Sequence, residues 1–129
     1  MSKLTGSCLC KAISYEAKSN IQKIVNCHCT LCRKMNGAAF STYVVILQHD
    51  FNLLAGHLVS HSISSSTAKH FCGDCGTPVY NTNSNLGPIV ILHVGSLDTD
   101  IETLPNVNIF CGSKLHWVEN ISQLPNLPK

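Results

Sequence analysis

Three features of the 129-residue sequence predict an all-β domain of short antiparallel strands joined at metal-binding turns. The first is size and composition. A chain of 129 residues fits a single domain spanning 1–129, and 44% hydrophobic against 12% charged residues supplies a buried core, where disordered chains are apolar-poor and charge-rich. The second is rhythm, because apolar residues alternate over short runs that glycine and proline punctuate. The third is cysteine: the chain has eight, and seven fall in three clusters.

Taken in order, Lys11–Ala17 alternates, with Ile13 and Tyr15 on one side and Ser14 and Glu16 on the other, as a half-buried strand does. Ile24 and Val25 lead into the second cysteine cluster. Arg33-Lys-Met-Asn-Gly37 predicts one helical turn closed by glycine, and residues 38–47, rich in β-branched and aromatic side chains, predict the next strand. Further strands are predicted near 57–63, 67–72, 77–81, 88–95 and 106–110, with Gly56, Gly87-Pro88 and Pro105 between them. Asp98-Thr-Asp-Ile-Glu102 predicts a second short helical segment, since its acids suit a helix N-terminus. Ser64-Ser65-Ser66 reads as a surface turn, and Leu124–Lys129 is too proline-rich for helix.

Nine Lys and Arg against seven Asp and Glu give a formal charge of +2, too near neutral for the broad basic face that a phosphate backbone requires, so no nucleic acid partner is expected. No run approaches the roughly 18 apolar residues of a membrane span, and Met1-Ser-Lys-Leu-Thr-Gly6 lacks the apolar stretch of a secretory signal. The expected location is cytoplasmic, with no membrane partner.

The cysteines fall as Cys8-x-Cys10, Cys27-x-Cys29-x-x-Cys32 and Cys72-x-x-Cys75, with Cys111 alone. Disulfide frameworks belong to secreted proteins, whereas reducing compartments keep thiols free. Metal binding explains the clusters better, because Cys-x-x-Cys at a tight turn aims two sulfurs at one tetrahedral ion. Cys72-Gly-Asp-Cys-Gly76 has that form, with glycines for the positive φ of such a turn and Asp74 as a turn residue. In Cys8-Leu-Cys10, side chains at i and i+2 of an extended segment share a face and converge on one ion. A closed structural zinc takes four protein ligands and a catalytic zinc three plus an open position, so seven clustered thiols divide as four and three. Spacing alone leaves the pairing open: Cys72 and Cys75 combine equally well with Cys8 and Cys10 or with Cys29 and Cys32.

Gly6-Ser-Cys-Leu-Cys10, Cys27-His-Cys-Thr-Leu-Cys-Arg-Lys-Met-Asn-Gly37, Phe71-Cys-Gly-Asp-Cys-Gly-Thr-Pro78 and the stretch from Pro105 to Trp117 together resemble the glutathione-dependent formaldehyde-activating enzyme family, which includes centromere protein V. The resemblance implies a tent-like arrangement of sheets and a structural zinc on Cys8, Cys10, Cys72 and Cys75. It also implies a second, catalytic zinc on Cys27, Cys29 and Cys32, hence two Zn²⁺ per chain. The implied reaction joins the glutathione thiol to formaldehyde, giving S-(hydroxymethyl)glutathione, formally a carbon–sulfur lyase run in the synthetic direction. Three cysteinate ligands leave the ion a modest Lewis acid, so capture of the thiol as thiolate is favoured over strong activation of the carbonyl. The competing reading is a non-enzymatic zinc module that binds a protein partner, with both ions structural. A redox or metal sensor using Cys111 and the second cluster is a third.

Arg33 and Lys34, directly after the last ligand of the second site, are candidates to receive a glutathione carboxylate; the competing reading is a solvated helical turn. His28 lies between two ligands, and its side chain is expected to point away from both sulfurs into packing. Cys111 reads as a small buried apolar residue and Trp117 as core. His116 has a suitable pKa for acid–base work but no motif around it. Seven thiolates and two Zn²⁺ together change the formal charge by −3, taking +2 to −1.

Overall fold

The computed structural model describes residues 2–129. Its elements are β1 (Lys3–Ser7), β2 (Ser14–Lys18), β3 (Lys23–Cys27), helix α1 (Thr30–Asn36), β4 (Ser41–Leu47), β5 (Phe51–Ala55), β6 (Leu58–Ser62), β7 (Thr67–Cys72), β8 (Pro78–Asn83), β9 (Ile89–His93) and β10 (Val107–Ile109), with short 3-10 turns between and after them. A three-stranded sheet has the order β1-β2-β5, and a seven-stranded sheet the order β10-β3-β4-β9-β8-β7-β6. Strand pairs are antiparallel, as expected, except that β10 runs parallel to β3. A parallel neighbour requires a long crossover, and most of the chain lies between these two strands. No helix among the described residues is long and apolar enough to cross a membrane.

The core lies between the sheets. Ile24, Val44, Ile46, Val90 and Leu92 project from one face of the larger sheet, and Leu4, Tyr15 and Ala17 meet them from the smaller. The alternation read from residues 13–16 is obeyed, with Ile13 and Tyr15 each 1% exposed. On the opposite face of the larger sheet, Val25, Cys27 and Tyr43 pack beneath Cys32 and Met35 of α1. The helix begins at Thr30, three residues before the turn expected at Arg33, and ends where expected, on Gly37 at φ 61. The earlier start follows from Cys29, whose sulfur caps the first turn by accepting the Cys32 amide at 3.2 Å.

Two expectations fail locally. Asp98–Glu102 is not helical, because its polar groups are already engaged along β1. The Asp98 amide donates to Thr5 O at 2.7 Å, the Thr5 amide donates to Thr99 Oγ1 at 2.8 Å, and Ser7 Oγ donates to Asp98 Oδ2 at 2.7 Å. Pairing across more than ninety residues of sequence outweighs a weak local preference. The strands β1 and β5 have no counterpart among the expected elements, since each is made a strand by pairing with β2. Gly6 in β1 has a specific cause: the Tyr15 ring lies where a Cβ would stand, and its hydroxyl contacts Ser96 Oγ at 2.7 Å.

Candidate functional site

The two cysteine groups that the resemblance implies both come together at strand ends. Cys8 and Cys10 sit in the loop joining β1 to β2, while Cys72 ends β7 and Cys75 lies in the turn before β8. Cys8-Leu-Cys10 is a turn rather than the extended segment expected; Lys11 takes φ 69, and its amide donates to Cys8 O at 3.2 Å. The sulfurs still converge, with Cys8 to Cys10 at 3.6 Å and Cys10 to Cys72 at 3.8 Å. In the second turn the Gly76 amide closes onto Cys72 O at 2.8 Å with Gly76 at φ 81, the use expected for this glycine.

The second cluster is built from one short stretch. Cys27 is the last residue of β3, Cys29 caps α1 and Cys32 lies in its first turn, so the strand end and helix start present three sulfurs together. Cys27 lies 3.5 Å from Cys29 and 3.4 Å from Cys32. In each cluster all sulfurs lie within 4.8 Å of one another. Sulfurs around a tetrahedral ion at roughly 2.3 Å stand about 3.8 Å apart, so both arrangements fit a metal ion. Cys111 belongs to neither group and is exposed, contrary to its expected burial. The chain leaves β10 through Phe110, at φ 56, into an exposed 3-10 turn.

Proton affinities also favour a cation. In the first cluster, the Thr77 hydroxyl and then backbone amides bring Cys75 down to about 5. The Ala12 amide favours the Cys10 thiolate, but the sulfurs of Cys8 and Cys75 outweigh it and push Cys10 up to about 12. In the second cluster, burial raises Cys27 and Cys32; at Cys29 the amides of Cys32 and Leu31 and the neighbouring thiols overcome burial and lower it. Crowded thiols do not all ionise unaided, and a divalent ion can replace their protons.

The flanking residues divide. Arg33 Nη1 donates to Ser113 O at 2.9 Å and ties down the turn after β10, whereas Lys34 is exposed beside a groove. His28 points into packing as expected, 1% exposed with its ring 5.1 Å from Phe40, and neither nitrogen has a hydrogen-bond partner among the described residues. Trp117 is 43% exposed, which corrects its expected place in the core; it follows β10 in a tail of 3-10 turns that packs little. His116 is exposed beside it. Asp74 is an exposed turn residue.

The sequence did not reveal the polar side chains beneath α1. Tyr43, buried on β4, faces Cys32 and accepts the Asn36 amide at 3.1 Å, and Asn36 also donates to Ser41 Oγ at 2.8 Å. His93 meets the Tyr43 ring edge-on at 5.0 Å and contacts Asn81 Oδ1 through Nε2 at 2.9 Å. Lys69 of β7 donates to Met35 O at 2.7 Å. Tyr43, His93, Asn81 and Lys69 come from four different strands, β4, β9, β8 and β7, so only the sheet register brings them under one helix.

A known protein shares this fold. The crystal structure of a Rhodobacter sphaeroides protein superposes with a TM-score of 0.65 at 18% identity, covering 81% of this chain and 97% of that one, which shows a common fold. An uncharacterized lyase of Schizosaccharomyces pombe is 33% identical over 86 residues, 66% of this chain. The aligned region spans 61% of that relative's own length. The family described as glutathione-dependent formaldehyde-activating enzyme matches residues 3–113, a stretch that includes all three cysteine clusters and both sheets. The chain belongs to the glutathione-dependent formaldehyde-activating enzyme family.

Proposed function

We propose that the chain is a zinc-dependent enzyme of the carbon–sulfur lyase type, joining the glutathione thiol to formaldehyde as S-(hydroxymethyl)glutathione or forming a related thiol adduct. Cys8, Cys10, Cys72 and Cys75 would hold one zinc ion and Cys27, Cys29 and Cys32 the second. The observation that carries this reading is the unequal sulfur count, four in one cluster and three in the other, with Cys111 outside both. A three-ligand centre has room for an incoming thiol, and a four-ligand centre does not. Membership of the family and the lyase description of the S. pombe relative support the same reaction class.

Zinc in the three-sulfur site would keep a bound thiol ionised at neutral pH, where a free thiol of pKa about 8.5 is mostly protonated. The chain's own residues hold that site in shape. Cys27 is fixed by β3, Cys29 by the Cys32 amide, and Cys32 by a helix that Gly37 terminates. In the net reaction a sulfur–carbon bond forms, the carbonyl π pair moves to oxygen, and the thiol proton ends on that oxygen. Nothing is oxidised or reduced, so no further co-reactant is required.

The test is exchange of glutathione with formaldehyde, followed by NMR. The protein should accelerate exchange above the uncatalysed rate, and Cys29→Ser should return it to background while remaining folded. Equal rates for the two proteins would remove the reaction. Cobalt in the second site should change its visible spectrum when thiol is added; an unresponsive spectrum would favour a structural ion and a partner-binding module.

A further inference from the structure

An open groove of about 600 Å³ runs between α1 and the face of β6 and β7 beside it. Leu31, Met35, Val59 and Phe71 form apolar walls, and Lys34, His61 and Lys69 are its titratable residues; among the described residues no aspartate or glutamate lines it. Lys69 is the informative one. The residue is half-buried, and its ammonium donates to Met35 O at 2.7 Å and lies 5.9 Å from the centre of the Phe71 ring. Among the described residues, no carboxylate comes within ion-pair distance of it. Burial lowers its proton affinity.

An ammonium carries three donor hydrogens, and the carbonyl uses one. A cation withdrawn from water is destabilised unless an anion offsets it, and the charges nearest Lys69 cannot do so. Lys34 has the same sign, and His61 is its cross-strand partner on β6. His93, beneath, is neutral near pH 7. The groove therefore has a positive floor and apolar walls, which suit an organic anion with an uncharged body. Its position links it to the three-sulfur centre, since Leu31 and Lys34 lie on the same helix as Cys32, on either side of it in sequence.

We propose that this groove holds the carboxylate-bearing body of the thiol substrate. Lys69 and Lys34 receive the carboxylate, and Leu31, Met35, Val59 and Phe71 cover the chain that leads to the sulfur. Lys69 is then a specificity-determining residue, selecting an acidic thiol over a neutral one. The assignment rests on the thiol-adduct reading above.

The experiment is an NMR titration of the zinc-loaded protein with S-methylglutathione, which retains both carboxylates but has no ionisable thiol. Saturable shifts are expected at Leu31, Lys34, Met35, Val59 and Phe71. Affinity should fall at least about tenfold in Lys69→Met, fall measurably in Lys34→Met, and be lost for the dimethyl ester of the ligand. Absence of saturable binding, shifts centred elsewhere, or both variants binding as tightly as the parent protein would overturn the proposal. Lys34 is exposed, so its variant stays informative even if Lys69→Met folds poorly. Groove binding without accelerated exchange would remove the reaction and keep the groove; accelerated exchange without groove binding would do the reverse.

Discussion

Single residues show most directly how environment sets chemistry. His93 is 7% exposed, and burial, reinforced by the charge of Lys69, holds it down to about 4. In the unfolded chain the same ring takes up a proton near pH 6.5. Between those values the unfolded state binds more protons, so the contribution of His93 is intact above about pH 6.5 and is lost as pH falls towards 4. The loss amounts to about 2 kcal/mol by pH about 5. Urea unfolding at saturating zinc, compared at about pH 7 and about pH 5, should show a smaller loss in His93→Gln than in the parent protein; equal losses would mean that His93 is not shielded. The sequence offers seven histidines with nothing to mark this one, because its burial comes from strands β4 and β8 on either side of β9. Gly6 is the opposite case. It stands beside the first cysteine cluster in the sequence, yet only the register that sets it against Tyr15 explains why a side chain is excluded there.

At the level of elements, the two clusters join different things. The first takes two sulfurs from the loop of the three-stranded sheet and two from the β7–β8 turn of the seven-stranded sheet, so an ion there closes a loop of more than sixty residues between sheets. The second takes its three sulfurs from six consecutive residues and connects only a strand end to the helix that follows. Closing a long loop removes far more chain entropy than closing a short one, and metal binding to ligands that only folding assembles adds to folding stability. Cys72→Ser should therefore abolish cooperative thermal unfolding or lower its midpoint sharply. Cys29→Ser should unfold cooperatively near the parent midpoint with one metal fewer, as read by circular dichroism and metal analysis. Similar collapse of both variants would show that the clusters do not divide in this way. The Cys-x-x-Cys signals were plain because each is a local turn, and α1 was legible in part because Gly37 marks its end. Its true start was not, because Cys29 caps it through sulfur, an atom that the usual oxygen-based capping pattern does not anticipate.

For the whole molecule, the proposed metal load would decide the sign of the charge. The bare chain carries a formal +2, and two zinc ions on seven thiolates would bring it to −1. Native electrophoresis near neutral pH should show the loaded protein moving towards the anode and its chelated form towards the cathode; movement of the loaded form towards the cathode would contradict the proposed ion count or the ionisation of the thiols. The strand-rich fold, the cysteine sets and the family were legible from the sequence, because alternation, turn glycines and ligand spacing are local patterns that a chain carries wherever it folds. Three things were decided only in the tertiary structure: the polar side chains gathered beneath α1, the exposure of Cys111, and the positive groove beside α1. Each depends on which strands become neighbours, as with β10 beside β3 or β7 beside β8, and that choice is made by burying a common core rather than by any short stretch of residues.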